Sequence, residues 1–210
     1  MNTIVVFGAS RGLGLAIAKY YRSMDNPVIA MVRDPSAAQE LIETGASVVK
    51  GDALNTEDIE AVLAKTPKEA WVISTMGSFK TSQPVDYLGH RNLIDALEGK
   101  GIKRFLMVTS LGCGDSWATL PERAKAVFGQ AVREKGLAES WLQSSRLDFT
   151  ILRPGGLKDG DITEHGELSQ GREVHGLITR SEVARLTFEL FNDDASIHQI
   201  YACVDPTLSY

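Results

Sequence analysis

Only two cysteines, Cys113 and Cys203, occur in the 210 residues, and they are far apart. That excludes a disulfide framework and a thiolate zinc site, and it fits a reducing compartment. The four histidines, His90, His165, His175 and His198, have no metal-ligand spacing, so no metal is expected. No apolar run approaches the roughly 20 residues needed to span a bilayer. The start of the chain lacks a positive segment leading into an apolar stretch and a small-residue cleavage site, so no signal peptide is expected. Lysine and arginine number 22 against 27 aspartates and glutamates, the formal net charge is -5, and no long basic run occurs. Neither nucleic acid nor an anionic membrane is therefore favoured as a partner. A cytoplasmic protein is the expectation. What the chain does have is core-forming material: 43% of it is hydrophobic, enough at this length for one α/β domain.

The organising stretch lies at the beginning. Thr3-Ile4-Val5-Val6-Phe7 is rich in β-branched residues and reads as a buried parallel strand. Gly8-Ala9-Ser10-Arg11-Gly12-Leu13-Gly14 follows and opens a helical pattern. Strand, glycine-rich turn and helix in that order make a dinucleotide-binding turn. Gly8 makes the exit from the strand, Gly12 lets a pyrophosphate approach the backbone, and Gly14 lets the helix pack on the strand. The helix N-terminus supplies N–H groups and a positive dipole end for the phosphates.

Further strands are expected at Val28–Val32, Ala46–Lys50, Ala70–Thr75, Lys103–Ser110, Asp148–Arg153 and Gln199–Val204. Helices are expected from Gly12 to Ser23, Pro35 to Glu43, about Thr56 to Ala64, Pro84 to Leu97 and Pro121 to Ser144, with a last helix capped by Ser181. This alternation predicts one doubly wound parallel sheet with helices on both faces, of the Rossmann type. A single domain over residues 1–210 is expected, with a dinucleotide-binding core to about residue 153 and substrate-side loops, a helix and a strand beyond it.

Ligands in such sheets bind at the carboxyl ends of the strands. Arg33, just past the second strand, meets the adenosine ribose, where a planar guanidinium suits a 2′-phosphate. Arg11 is a second candidate for that phosphate. NADPH is thus preferred to NADH. Asp34 is the counter-argument, and it reads here as the N-cap of the helix begun by Pro35. Asp52 and Ala53 end the third strand at the adenine edge, with Asp52 alternatively a helix cap. Thr75, Met76 and Gly77 end the fourth, where backbone must pass near the ribose and diphosphate. Phe79, Trp117 and Leu157 fall in loops on the same edge and could form an apolar slot for a planar substrate. Ser110 ends the fifth strand.

On these residues the chain resembles the short-chain dehydrogenase/reductase superfamily. The landmarks are the glycine turn, Gly51-Asp52, Thr109-Ser110, and Leu147 through Pro154-Gly155. Within the superfamily it is similar to the atypical branch of NmrA-like sensors and biliverdin-IXβ/flavin reductases. The last group is the nearest in likeness, through Val32-Arg33-Asp34, Thr109-Ser110 with Trp117, and Gly171-Arg172 onward. The resemblance implies that Ser110, Lys135, Pro154 and Gly155 join the cofactor site, with Ser110 and Lys135 as catalytic groups. It also implies a monomer.

The chain departs from the tyrosine-dependent members. Their Tyr-x-x-x-Lys pair is replaced by Ala131 and Lys135. Without a phenol to protonate an alkoxide, ketone reduction loses a factor of roughly 10²–10⁴. Hydride transfer to a flavin, quinone or linear tetrapyrrole needs no such acid, because charge spreads over the conjugated system. Ser110 would hydrogen-bond an acceptor heteroatom or the nicotinamide amide, and Lys135 the nicotinamide ribose. The plainer alternatives are a strand-end hydroxyl on backbone and a lysine paired with Glu139 one turn on. The expectation is an NADPH-dependent oxidoreductase with a small planar acceptor. A non-catalytic NADP(H) sensor acting through a protein partner is the alternative, and an isomerase or epimerase ranks third.

Overall fold

Strand β1 (Ile4–Phe7) is buried at all four residues. In the computed structural model, which describes residues 1–78 and 83–209, it lies in the middle of an eight-stranded sheet of order β3-β2-β1-β4-β5-β6-β10-β8 among those residues. The other strands are β2 (Val28–Val32), β3 (Ser47–Lys50), β4 (Trp71–Ser74), β5 (Arg104–Val108), β6 (Asp148–Pro154), β8 (Glu167–Ser169) and β10 (Gln199–Val204). All neighbours pair parallel except β8, which runs antiparallel on β10 at the edge. The parallel doubly wound sheet is thus present with one antiparallel edge strand, a common addition to such sheets.

The helices divide between two faces. On one, α1 (Gly12–Ser23) packs along α6 (Arg180–Phe191) over Ile4, Val6, Ala30 and Ile73. Tyr21 is fully buried there among Phe188 and Phe191. On the other, α3 (Thr56–Leu63), α4 (Leu88–Lys100) and α5 (Glu122–Gln143) contribute Ile59, Leu93 and Leu142 to a cluster around Val5, Phe7 and Phe105. Strand residues alternate between the faces, so both sides of β1 are apolar.

Several boundaries differ from the sequence reading for local reasons. The segment from Pro35 splits into a 3-10 turn at Pro35–Ala37 and α2 (Gln39–Glu43). Helix α4 begins at Leu88 rather than Pro84, and runs on through Gly99 to Gly101, whose φ of 72° closes it in the left-handed conformation. Thr179, not Ser181, caps α6: its Oγ1 accepts the Glu182 amide at 3.1 Å. The charged stretch from Leu157 to Thr179 holds two further strands, β7 (Gly156–Lys158) and β9 (Leu177–Thr179), paired parallel in a small second sheet.

Candidate active site

Strand order reverses beside β1: the chain goes outward to β2 and β3, then returns to β4 on the other side. A cleft of about 410 Å³ opens at this point, at the carboxyl ends of the strands. It is floored by the glycine turn. Gly8 has φ +88°, and Thr75 Oγ1 lies 2.9 Å from where its Cβ would sit. A Cβ on Gly14 would fall 2.2 Å from the Gly8 carbonyl oxygen, so α1 can approach β1 only with glycine there. Thr75 Oγ1 donates to Gly8 O at 3.2 Å and ties the turn to β4.

The turn suits a diphosphate. Helix α1 starts after Arg11, which makes no side-chain capping bond, and no acidic residue lies in the first helical turn. Its positive end is therefore left for an outside anion. Gly12 is exposed toward the cleft, and a Cβ there would meet only Arg180 Nε, at 3.6 Å.

Gly8, Ser10, Arg11, Gly12, Leu13, Gly14, Arg33, Asp52, Ala53, Thr75, Met76, Gly77 and Leu157 all line this cleft. Arg33 is exposed beside it, whereas Asp34 Oδ1 is engaged with the Ser36 amide at 3.0 Å and with the Ser36 hydroxyl. Those hydrogen bonds from Ser36 hold the Asp34 carboxyl below the usual carboxylate range. Asp52 Oδ1 accepts the Leu54 amide at 3.0 Å, a turn role, while Asn55 caps α3. Phe79 lies outside the described residues.

Other predicted residues lie elsewhere. Trp117 packs on α5, its ring near Gly129 and under the Lys125 ammonium at 5.5 Å, in a separate hollow. Pro154 is buried in β6, and Gly155 is small for a backbone reason: its Cβ would fall 2.4 Å from Gly176 O. Ser110 sits half-buried at the end of β5, with Oγ 3.7 Å from Cys113 Sγ. Cys113 is buried, and burial pushes its thiol up.

Lys135 does not pair with Glu139. Its Nζ donates to Met76 O at 2.7 Å and meets Asp86 Oδ1 at 3.1 Å. It lies under Gly77, 3.1 Å from the position of a Cβ on that residue. Asp86 Oδ2 accepts the Ser78 amide at 2.9 Å and the Ser78 hydroxyl. His90, fully buried, bonds the Asp86 carbonyl through Nδ1 and Ser74 Oγ through Nε2 at 2.8 Å. Burial, with the Lys135 charge added, lowers its pKa to about 4. Glu139 instead takes Thr109 Oγ1 at 2.6 Å and Arg153 Nη2 at 2.7 Å. Burial alone would weaken the Arg153 charge, but hydrogen bonds from it to Glu139 and Asp115 hold its pKa above the ordinary arginine value.

Sequence reasoning missed Asp86, His90, Glu139 and Arg180. Asp86 and His90 carry a faint signal, a buried i,i+4 pair beside the helix start. Arg180 has a position signal only, as the first residue of α6.

Comparisons with known proteins agree with this fold. A structure titled ChuY, an anaerobilin reductase from Escherichia coli O157:H7, superposes with a TM-score of 0.92 at 45% identity, over 100% of both chains. An uncharacterised sugar epimerase of Bacillus subtilis, YhfK, is 29% identical over 87% of this chain and 84% of its own. A short-chain dehydrogenase/reductase from Veillonella parvula in complex with NADP has a TM-score of 0.79 at 19% identity, covering 100% of this chain and 97% of its own, and so shares the fold. The NAD(P)H-binding family profile matches residues 8–194. The chain belongs to that NAD(P)H-binding family, in its atypical short-chain branch, and is an oxidoreductase.

Proposed function

We propose that the protein uses NADPH to reduce a linear tetrapyrrole. The observation that carries this reading is the full-length 45% identity to a protein titled an anaerobilin reductase. The bound cofactor would supply a hydride. Arg33 and Arg11 would hold the 2′-phosphate, and Asp34, whose Oδ1 is turned to the Ser36 amide and hydroxyl as the cap of the following turn, reads as a structural group there. Ser110 would donate a hydrogen bond to an acceptor heteroatom. Lys135 would act by position, fixing the Met76–Gly77 backbone through its bond to Met76 O. Ala131, one helical turn before Lys135, offers no acid. This favours an acceptor whose conjugation spreads the charge while solvent supplies the proton.

The test is anaerobic NADPH oxidation with a linear tetrapyrrole, FMN, riboflavin and a quinone offered in turn. The expected outcome is fastest turnover with the tetrapyrrole, lowered about fivefold to tenfold in Ser110→Ala, the scale of one neutral hydrogen bond. Absence of turnover with all four acceptors, in protein that binds NADPH, would overturn the reading and favour a sensor.

A further inference from the structure

The small sheet brings two residues over the glycine turn. Lys158 of β7 pairs with Thr179 of β9, so the next residues, Asp159 and Arg180, emerge side by side from parallel strands. Arg180 Nη1 donates to Asp159 Oδ1 at 2.7 Å. On its other side the guanidinium faces Gly12, at the point where the first helix begins. The Arg180 side chain borders both the cofactor cleft and a groove along α1 that also contains Asp159.

We propose that Arg180 is a ligand of the cofactor diphosphate, held over the glycine turn by its pair with Asp159. Three cations line the cleft among the described residues: Arg11, Arg33 and Arg180. Arg33 lies at the end of β2, at the far corner where the adenosine ribose belongs. Arg180 lies across the α1 N-terminus, where two phosphates need more charge than a helix end provides. Its partner Asp159 is 93% exposed on its side chain, so the pair is a weak, solvent-screened one and exchanging a carboxylate for a phosphate costs little. The inference rests on NAD(P)H binding and is independent of the acceptor.

Calorimetric binding of three probes without any acceptor tests it: NADP⁺, NAD⁺ and 2′-AMP, which carries the 2′-phosphate but no diphosphate. Arg180→Gln should weaken NADP⁺ and NAD⁺ alike, by about tenfold to a hundredfold, the range of a charge-assisted hydrogen bond. It should leave 2′-AMP within twofold. Arg180→Lys, which keeps the charge at the start of α6, should retain most of the affinity and guards against a Gln variant that folds poorly. Asp159→Asn should leave NADP⁺ binding equal or tighter, since it removes the competing anion. Unchanged dinucleotide affinity in Arg180→Gln, an equal loss for 2′-AMP, or more than twofold weakening in Asp159→Asn would each overturn the proposal.

Discussion

His90 shows how one buried side chain makes the site depend on pH. Its Nδ1–H donates to the Asp86 carbonyl and its Nε2 accepts from Ser74, whose oxygen in turn accepts the Met76 amide at 3.3 Å. A proton added to Nε2 would reverse that bond, making Ser74 Oγ accept from both the ring and the Met76 amide and leaving its own hydroxyl hydrogen without His90 as a partner. The folded protein holds the ring neutral down to about pH 4, against an ordinary histidine value of 6.5. Between those values the unfolded chain binds a proton that the folded one does not, so stability falls as pH falls from 6.5 to 4 and levels off below. The slope is about 1.4 kcal/mol per pH unit, or about 3.5 kcal/mol across the window. Urea unfolding midpoints at half-unit steps would display it, and His90→Gln should flatten that window. Asp205 and Glu182, held below the usual carboxylate range despite burial by their hydrogen bonds, lose their contribution only at lower pH. None of this chain of bonds was legible in the sequence, because a histidine with no metal-ligand spacing looks the same whether it faces solvent or Ser74. Arg33 and Asp34 were legible, since strand end and Pro35 fix their places.

Helix α5 is joined to β6 by a charge pair rather than by apolar contact alone. Glu139 is 1% and Arg153 7% exposed on their side chains. Arg153 Nε reaches Glu139 Oε1 at 3.0 Å, and Nη2 reaches Oε2 at 2.7 Å, a two-point fork. Thr109, just before Ser110, hangs on the same carboxylate. Removing Glu139 leaves the buried Arg153 charge with only the exposed Asp115 as a partner, so Glu139→Ala should cost about 3 kcal/mol, the lower end for a broken buried pair. The double variant Glu139→Leu with Arg153→Met should cost far less, because the desolvation penalty goes with both charges. Equilibrium denaturation of the three proteins decides it, and a double variant as unstable as the single would show that hydrogen bonding to Thr109, not charge pairing, dominates. Local spacing on α5 pointed to Lys135 with Glu139. The fold overrides it because β4 and β6 bring Met76 and Arg153 to the helix from distant parts of the chain. Strand and helix existence, by contrast, was readable from β-branched runs and helix caps. The stretch from Leu157 to Thr179 reads as loop and short strands, and β7, β8 and β9 fall in it or at its edge, but their bounds were not legible, because three residues carry no period.

Across the whole molecule, the place where strand order reverses decides where a ligand acts on stability. The glycine turn, β2 end and β4 end meet there, and each belongs to a different segment of the chain. A dinucleotide bound across them ties those segments in the folded state only. At a concentration 100 times its Kd, NADPH should therefore stabilise the protein by about 2.7 kcal/mol. For a chain of this size that is a rise in Tm of roughly 5–10 °C. If Arg33 reads the 2′-phosphate, NADH at the same concentration should give a smaller rise, by roughly 3–5 °C for a tenfold weaker Kd. Arg33→Asp should close that gap by lowering the NADPH response, since the new carboxylate repels the phosphate and accepts from a ribose hydroxyl instead. Thermal unfolding of both proteins with each cofactor measures the two responses side by side. Equal gaps in wild type and variant would move the phosphate to Arg11, which reaches the same cleft from the turn. The comparison is clean because Arg33 is exposed and makes its contribution at the rim, leaving the core that sets the ligand-free Tm untouched.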